Sequence, residues 1–298
     1  MILVFSAQVA VGTLLGILFW EPGREQALFW ANCLTLPALL AVFKMLTALF
    51  EGRPLGSIGL AFHGRWSIEL GIGLALGAAM VLAVTVMELG LGAARFSWNP
   101  ISAEQVAWGG AFYGVLLAVA ATNEELIFRG YPLQRLVETV GPVGAVGISS
   151  ALFGLAHLGN PARTWLSTLN TALVGVPLGV AYLRTRALWL PIGIHFAWNL
   201  SQGYIFGFPV SGMGLSGTLL IANEHGLAWM TGGDYGPEGG ILATGVIVIG
   251  TVYLLFSRRI YISGEMQELA LGTSASSPSA PRDPISIFDS GRVNTRHD

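Results

Sequence analysis

The sequence predicts an all-α fold, a polytopic membrane helix bundle with about eight transmembrane helices. Hydrophobic residues make up 53% of the 298 residues and charged residues only 11%, whereas roughly 25% of the residues of a soluble domain are charged. Apolar runs long enough to cross a bilayer, which takes about 20 residues, recur along most of the chain. The composition therefore excludes a soluble globular domain, and the net charge of −2 argues against nucleic acid as a partner.

Eight apolar segments are predicted to cross the membrane, at approximately residues 2–20, 27–50, 67–91, 106–130, 143–159, 165–183, 188–208 and 241–257. The first has no Lys or Arg before its apolar run, as a signal peptide would have, so we expect it to be a helix of the mature protein. In the third, Gly73 and Gly77 lie four residues apart and would allow a neighbouring helix to approach closely. That signal is weak in a chain with 40 glycines.

The chain divides into an integral membrane domain, residues 1–262, and a tail, residues 263–298. The tail is rich in Ser, Pro, Gly and Ala, a composition typical of disorder. Placing both termini in the cytoplasm puts seven loop cations inside and three outside, as the positive-inside rule favours; the seven are Arg53, Arg65, Arg135, Arg184, Arg186, Arg258 and Arg259. We therefore expect a multi-pass integral membrane protein, in a bacterium a protein of the cell (inner) membrane, with a cytoplasmic tail.

Three polar clusters interrupt the apolar segments, and each has the spacing of one helix face, where residues four apart are neighbours. An ionisable side chain at membrane depth costs about 2.5 to 3.5 kcal/mol on insertion scales, so such residues usually line a cavity or perform chemistry. A Glu125–Arg129 pair would offset part of the cost of burying both charges, which leaves Glu124 free to face something else. The clusters are Glu124-Glu125 with Arg129, Phe153 with His157, and His195 with Asn199.

The first two clusters are predicted to lie at similar depth. The chain turns at Gly141-Pro142, a pair that favours a helix hairpin. Glu124 precedes Gly141 by 141 − 124 = 17 residues, and His157 follows it by 157 − 141 = 16. At a rise of ~1.5 Å per residue both side chains would stand roughly 25 Å from the turn, so we expect them to face each other.

The chemistry that these residue types can perform together is hydrolysis. A carboxylate in a poorly solvated pocket can act as general base on a water, and a histidine across from it can orient that water. A second histidine and an amide can donate hydrogen bonds to the oxyanion of a tetrahedral intermediate. Alternatively, Glu124, His157 and His195 could hold a divalent metal such as zinc, with water at an open position. The chain has no HExxH sequence, the common zinc signature of metalloproteases.

The three clusters together resemble the motifs EExxxR, FxxxH and HxxxN of the CPBP intramembrane proteases. This family includes CAAX prenyl endopeptidases and bacterial proteins linked to bacteriocin processing and immunity. The matching sequences are Glu-Glu-Leu-Ile-Phe-Arg at 124–129, Phe-Gly-Leu-Ala-His at 153–157 and His-Phe-Ala-Trp-Asn at 195–199, so the motif core spans residues 124–199. Each motif is short, but three in order within predicted spans make a specific signal.

This resemblance implies an endopeptidase and a role for each motif residue. Glu124 would activate the water and His157 would assist it, while His195 and Asn199 would stabilise the oxyanion. Glu125 and Arg129 would hold the site in shape. The family is often named as metalloproteases, yet the same residues support a metal-free glutamate mechanism, so the cofactor stays open. The expected partners are a peptide or protein substrate, for which a lipidated chain is one candidate, and membrane lipid.

Two other functions compete with proteolysis. A transporter or proton relay would use the same intramembrane carboxylates and histidines, but no repeat pairs the first four spans with the last four, as many transporters require. A catalytically idle membrane scaffold or immunity factor is less favoured because the motifs are intact. For single residues we expect structural roles: packing for Phe153, an interhelical hydrogen bond for Asn170, and an interfacial position for Trp198.

Overall fold

The computed structural model describes residues 24–271, and within them the protein is mostly helical. The six helices before the long loop are α1 (Arg24–Glu51), α2 (Trp66–Gly90), α3 (Ala103–Phe128), α4 (Tyr131–Ala156), α5 (Trp165–Thr185) and α6 (Trp189–Asn199), the last continued by a π-helix over Leu200–Ile205. The later helices are α7 (Ala228–Thr231), α8 (Ile241–Phe256) and α9 (Gly264–Leu271). Strands β1 (Ala94–Trp98) and β2 (Leu220–Glu224) pair antiparallel.

The all-α membrane bundle predicted from the sequence is confirmed. Each predicted span from the second to the eighth coincides with α1, α2, α3, the second half of α4, α5, α6 or α8. Among the described residues, four helical segments are long and apolar enough to cross a membrane, and α8 is a shorter apolar helix. The predicted first span, residues 2–20, lies outside the described residues, so the count of eight spans stays a prediction.

The boundary between membrane domain and tail falls at the start of a helix. Residues 264–271, which the composition assigned to a disordered tail, form α9. The Glu265 side chain of this helix accepts a hydrogen bond from the backbone N–H of Gly64, at 2.6 Å from Oε2. This contact with the α1–α2 connection orders the segment, which composition cannot show, and the chain beyond Leu271 lies outside the described residues.

Helices α3 and α5 begin at capping boxes. The Ser102 hydroxyl accepts from the Gln105 backbone N–H at 3.2 Å, and the Gln105 side chain accepts from the Ser102 N–H at 2.8 Å. Thr164 and Ser167 form the same reciprocal pair at the start of α5. Such boxes satisfy two of the backbone donors that a helix start leaves free, and they fix where the two helices begin.

The chain reverses at Gly141, where the predicted hairpin turn is found. Its backbone leaves helical geometry inside α4, with φ 72° and ψ 169°, a conformation that glycine adopts without the steric cost of a side chain. The second half of α4 then packs back against α3, and the Ser149 hydroxyl donates to the Phe128 carbonyl at 2.9 Å. The break between α3 and α4 lies at Gly130, and Pro132 falls in the first turn of α4, where proline is tolerated.

Glycines bring α2 and α6 into close contact. A Cβ added at Gly73 would lie 2.4 Å from the Leu190 carbonyl oxygen, and one added at Gly77 would lie 2.3 Å from that of Ile194. The close approach that the small residues of α2 predicted is thus present, and it holds α6 directly against α2. Because α6 carries the third motif, this contact fixes the position of His195 relative to the bundle.

A long connection, residues 206–240 and here named the cap loop, joins the π-helix to α8. It contains β2, α7 and two 3₁₀ turns, Gly233–Tyr235 and Pro237–Gly239. Asn170 of α5 donates to two of its carbonyl oxygens, those of Glu238 at 2.9 Å and Gly240 at 2.8 Å. The cap loop is therefore folded onto the helix bundle.

Candidate active site

Three of the four predicted catalytic side chains converge on one point. Oε2 of Glu124 lies 3.8 Å from Nε2 of His157 and 3.8 Å from Nε2 of His195. Glu124 is near the end of α3, His157 follows the last residue of α4, and His195 lies in the second turn of α6. The hairpin at Gly141 and the contact of α6 with α2 therefore bring together residues that lie far apart in sequence.

Glu124 presents an uncommitted carboxylate. Its Oε2 atom is buried and has no hydrogen-bond partner among the described residues, while 30% of the side chain is exposed. A separation of 3.8 Å from each imidazole is too long for a direct hydrogen bond. A water between the three groups could bridge them, because groups more than about 3.5 Å apart are commonly joined in this way.

The neighbouring Glu125 side chain is buried, and one of its two carboxylate oxygens binds two partners. Oε1 lies 3.0 Å from Nη1 of Arg129 and 2.8 Å from Nδ1 of His195, and the side chains of Glu125 and Arg129 have no exposed surface. The ion pair predicted within α3 is therefore present. Since Oε1 also binds His195, Glu125 connects the first motif to the third, which the spacing of the sequence did not indicate.

The Phe153 ring packs against three side chains of the site. Its ring lies 4.4 Å from the Arg129 guanidinium carbon, a cation–π contact, which is attractive and stronger when desolvated. The ring centroid is 4.6 Å from that of His157 and 6.1 Å from that of His195. Packing, the role expected for Phe153, is thus what the structure shows, and this one ring supports both histidines and the buried arginine.

Each histidine has its Nδ1 atom held by an oxygen. Nδ1 of His157 lies 2.7 Å from the Phe153 carbonyl oxygen, and Nδ1 of His195 lies 2.8 Å from the Glu125 carboxylate. Both oxygens can only accept, so the protons are assigned to the Nδ1 atoms. This assignment fixes both rings with their Nε2 atoms directed toward Glu124.

Asn199 lies one helical turn beyond His195, at the junction of α6 with its π-helical continuation. Its side chain is half-buried and forms no hydrogen bond with the other described residues. The structure therefore places Asn199 on the same helix as His195, with no hydrogen bond to Glu124. π-Helical turns occur frequently at functional sites, and an amide without a partner is free to bind a ligand.

The donor set has two features of a zinc site. Two imidazoles and a carboxylate suit zinc, and an oxygen acceptor on the second nitrogen of each ring is the usual support for a metal-bound histidine. Within residues 24–271, no group of three or more His, Cys, Asp or Glu side chains was found that could hold a metal ion. The residue types of this site are therefore ones that bind zinc, but in the described part of the chain their placement does not form such a ligand group.

Sequence reasoning missed one carboxylate next to the site. Glu238 of the cap loop accepts a hydrogen bond from the Trp198 indole N–H, with 3.2 Å between Nε1 and Oε2. Trp198 is 5% exposed, so the interfacial position predicted for it is wrong. Asn170 binds the backbone of the cap loop and Thr244 of α8, so its predicted bond to another helix is confirmed.

Comparison with known proteins identifies one family. Residues 106–201, about a third of the chain, match the family described as Type II CAAX prenyl endopeptidase Rce1-like. The matched segment contains all three motifs and ends before the cap loop. No curated protein and no solved structure matches the chain. The family match confirms the resemblance to CPBP intramembrane proteases and supports a membrane protease, and it leaves the roles of individual residues to be argued from the site.

Proposed function

We propose that this chain is an intramembrane endopeptidase that hydrolyses a peptide bond with a water activated by Glu124 and His157. The observation that carries this proposal is the convergence of Glu124 Oε2 on the Nε2 atoms of His157 and His195, at 3.8 Å from each. The family match over residues 106–201 supports the same class of reaction. A proton relay could use the same three side chains, and the family match is what favours proteolysis over it.

In the first step Glu124 takes a proton from the bound water. The resulting hydroxide attacks the carbonyl carbon of the scissile peptide, and the carbonyl oxygen becomes an oxyanion. His157 orients the water through Nε2, because its Nδ1 proton is engaged by the Phe153 carbonyl. General-base catalysis of this kind contributes typically about 10²- to 10⁴-fold.

The oxyanion is stabilised from α6. An imidazolium at His195 donates from Nδ1 to Glu125 and from Nε2 toward the substrate, while the free amide of Asn199 supplies a second donor. Each such donor is worth about 2.7 to 4 kcal/mol in known enzymes. The tetrahedral intermediate then collapses as the C–N bond breaks, and the proton held by Glu124 passes to the leaving amine. One water is consumed, and a carboxyl and an amine are produced.

Glu125 and Arg129 support this arrangement without contacting the substrate. Glu125 holds the Nδ1 side of His195 and is itself held by Arg129, which packs on the Phe153 ring. Removing one member of a buried pair leaves the charge of the other uncompensated, so each of these two residues depends on the other for its burial. Their role is to keep the Nε2 atom of His195 directed at the reaction centre.

Zinc is the alternative cofactor. Glu124, His157 and His195 would be its ligands, and it would supply a Lewis acid that activates water and polarises the substrate carbonyl. In that case the base would have to be another group. The Nδ1 contacts of the two histidines support either mechanism.

The substrate is proposed to be a peptide or protein that reaches the site at membrane depth, with a lipidated peptide as one candidate. Purified protein in nanodiscs would be given fluorogenic peptides, each in an unmodified form and with a prenylated cysteine. Glu124→Gln should lower cleavage at least about 10²-fold, as lost general-base catalysis does. Glu104→Gln is the matched control, because Glu104 is exposed at the start of the same helix. Near-normal cleavage by Glu124→Gln would reject the proposed base.

A further inference from the structure

Glu238 lies outside the segment that matches the family, yet its carboxylate contacts the helix that carries the third motif. Its Oε2 atom accepts from Trp198, the residue immediately before Asn199. The indole N–H is therefore a point at which the cap loop contacts α6. His195 and Asn199 lie three residues before and one residue after that point.

Three donors surround the Glu238 carboxylate. The Ser211 hydroxyl donates to Oε1 at 2.7 Å, the Ser211 backbone N–H donates to the same atom, and Trp198 donates to Oε2. All three groups donate, so both carboxylate oxygens act as acceptors. Burial raises the pKa of Glu238, and the donors of Ser211 and Trp198 offset only part of that rise.

The backbone of Glu238 is fixed independently of its side chain. Asn170 of α5 donates to its carbonyl oxygen at 2.9 Å and to that of Gly240 at 2.8 Å. The Asn170 amide oxygen in turn accepts from the Thr244 hydroxyl of α8 at 2.7 Å. The cap loop is thus tied to α5 and α8 by its main chain, and the Glu238 carboxylate is the additional link to α6.

His157 interacts electrostatically with Glu238 as well as with Glu124. Glu124 of α3 lies 3.8 Å from its Nε2, and a protonated His157 would stabilise the ionised form of Glu238. His195 of α6 shares the Glu124 oxygen. The imidazole of His157 therefore has a carboxylate from α3 and another from the cap loop in its surroundings.

We propose that Glu238 is a positioning residue of the active site: its carboxylate ties the cap loop to Trp198 and thereby holds the α6 turn of His195 and Asn199 opposite Glu124. This inference rests on the proposed proteolytic function for its kinetic readout. The carboxylate acts through its hydrogen bond with Trp198, and it does not contact the substrate. A residue with this role should affect the rate of the chemical step more than substrate binding.

The kinetic experiment compares two variants with a charge-matched control. Glu238→Gln keeps the side-chain size and removes the charge, and Trp198→Phe keeps the aromatic ring and removes the N–H donor. Asp234→Asn removes an exposed acid four residues earlier on the same loop. We expect kcat to fall about tenfold in the first two variants, a barrier change of about 1.4 kcal/mol, with KM within about twofold and the control unchanged. A wild-type kcat in Glu238→Gln, or a loss seen only where the melting temperature falls in proportion, would overturn the proposal.

Hydrogen exchange tests the link without a substrate. The Ser211 backbone N–H donates to Glu238, so its exchange should accelerate about tenfold in Glu238→Gln, the change expected for a loss of about 1.4 kcal/mol of protection. Exchange in Asp234→Asn should match the wild type. If the wild type cleaves no peptide, the proposed function fails, but this measurement still tests whether Glu238 links the cap loop to α6. Unchanged exchange at Ser211 in Glu238→Gln would reject the proposed link between the cap loop and α6, even if the variant had lost activity.

Discussion

The Nδ1 atom of His195 lies 2.8 Å from Oε1 of Glu125. The resemblance gives His195 an oxyanion role and Glu125 a structural one, and the structure shows that Glu125 holds His195. Because the same Oε1 atom also binds Arg129, one carboxylate oxygen connects the buried arginine that follows α3 to the imidazole of α6. The two adjacent glutamates therefore have different roles, since Glu125 orients a partner and Glu124 faces the reaction.

Glu125→Gln should lower stability and activity together. The change leaves Arg129, which has no exposed surface, without a counter-charge, and breaking a buried pair in this way typically costs about 3 to 5 kcal/mol. His195 also loses its charged acceptor, so we expect activity to fall even in the protein that remains folded. A thermal melt in detergent and peptide cleavage per folded molecule measure the two effects.

The matched control for this experiment is Glu124→Gln. Oε2 of Glu124 has no hydrogen-bond partner among the described residues and the side chain is 30% exposed, so its neutralisation should leave the melting temperature close to that of the wild type. If Glu125→Gln melted like Glu124→Gln, the proposed buried link between Arg129 and His195 would be wrong.

The meeting of Glu124 and His157 could be predicted because local rules determine it. Spacing of four residues places each motif on one helix face, and Gly141-Pro142 marks a turn with nearly equal arm lengths on both sides. The approach of α6 could not be derived in the same way, because it depends on contacts of Gly73 and Gly77 with a distant helix. Nothing local to His195 specifies that packing.

The link between Trp198 and Glu238 was not predictable for a related reason. A tryptophan near the end of an apolar span usually lies at the membrane interface, and an acidic loop usually faces water. Here the cap loop folds onto α5 and α8 and covers Trp198. The one signal in the sequence was Asn170, a polar residue within a span, which pointed to a hydrogen-bond partner but not to which one.

Asn199→Ala should lower kcat by about 10²- to 10³-fold, the loss typical of one oxyanion donor, with little change in KM. The amide is free of other hydrogen bonds among the described residues, so its removal should not destabilise the protein. Asn223→Ala, at an exposed position of β2, is the control and should retain full activity. An equal loss in kcat/KM caused only by KM would assign Asn199 to substrate binding instead.

Chelators separate the two roles considered for Glu124. For the metal-free mechanism, cleavage should persist at its full rate after incubation with 1,10-phenanthroline and removal of the chelator. The measurement is the initial rate before and after treatment, with metal content determined in parallel. A complete loss that zinc restores would instead make Glu124, His157 and His195 ligands, and the base would have to be sought elsewhere.

Both termini are expected on the cytoplasmic side, because seven loop cations lie inside in that orientation and three outside, as the positive-inside rule favours. A reporter should be fused after Leu271 rather than at Ser263, since Glu265 of α9 binds the backbone of Gly64 and truncation would remove that contact. Cytoplasmic reporter activity is the expected result. Activity on the opposite side would reverse the orientation and, with it, the side toward which the cap loop faces.

Glu224, on β2 outside the membrane-spanning helices, should make stability depend on pH. Burial raises its pKa from 4.5 to about 7, opposed by a hydrogen bond from Thr231 and reinforced by the charge of Asp234. Since the folded state binds this proton more tightly than the unfolded state, stability should fall as pH rises from about 4.5 through about 7. Glu224→Gln, which stays neutral, should therefore raise the melting temperature at about pH 8 and leave it nearly unchanged at about pH 5. The control is Glu104→Gln at an exposed position, which should change the melting temperature by the same amount at both pH values. An equal change in Glu224→Gln at the two pH values would contradict the raised pKa of Glu224.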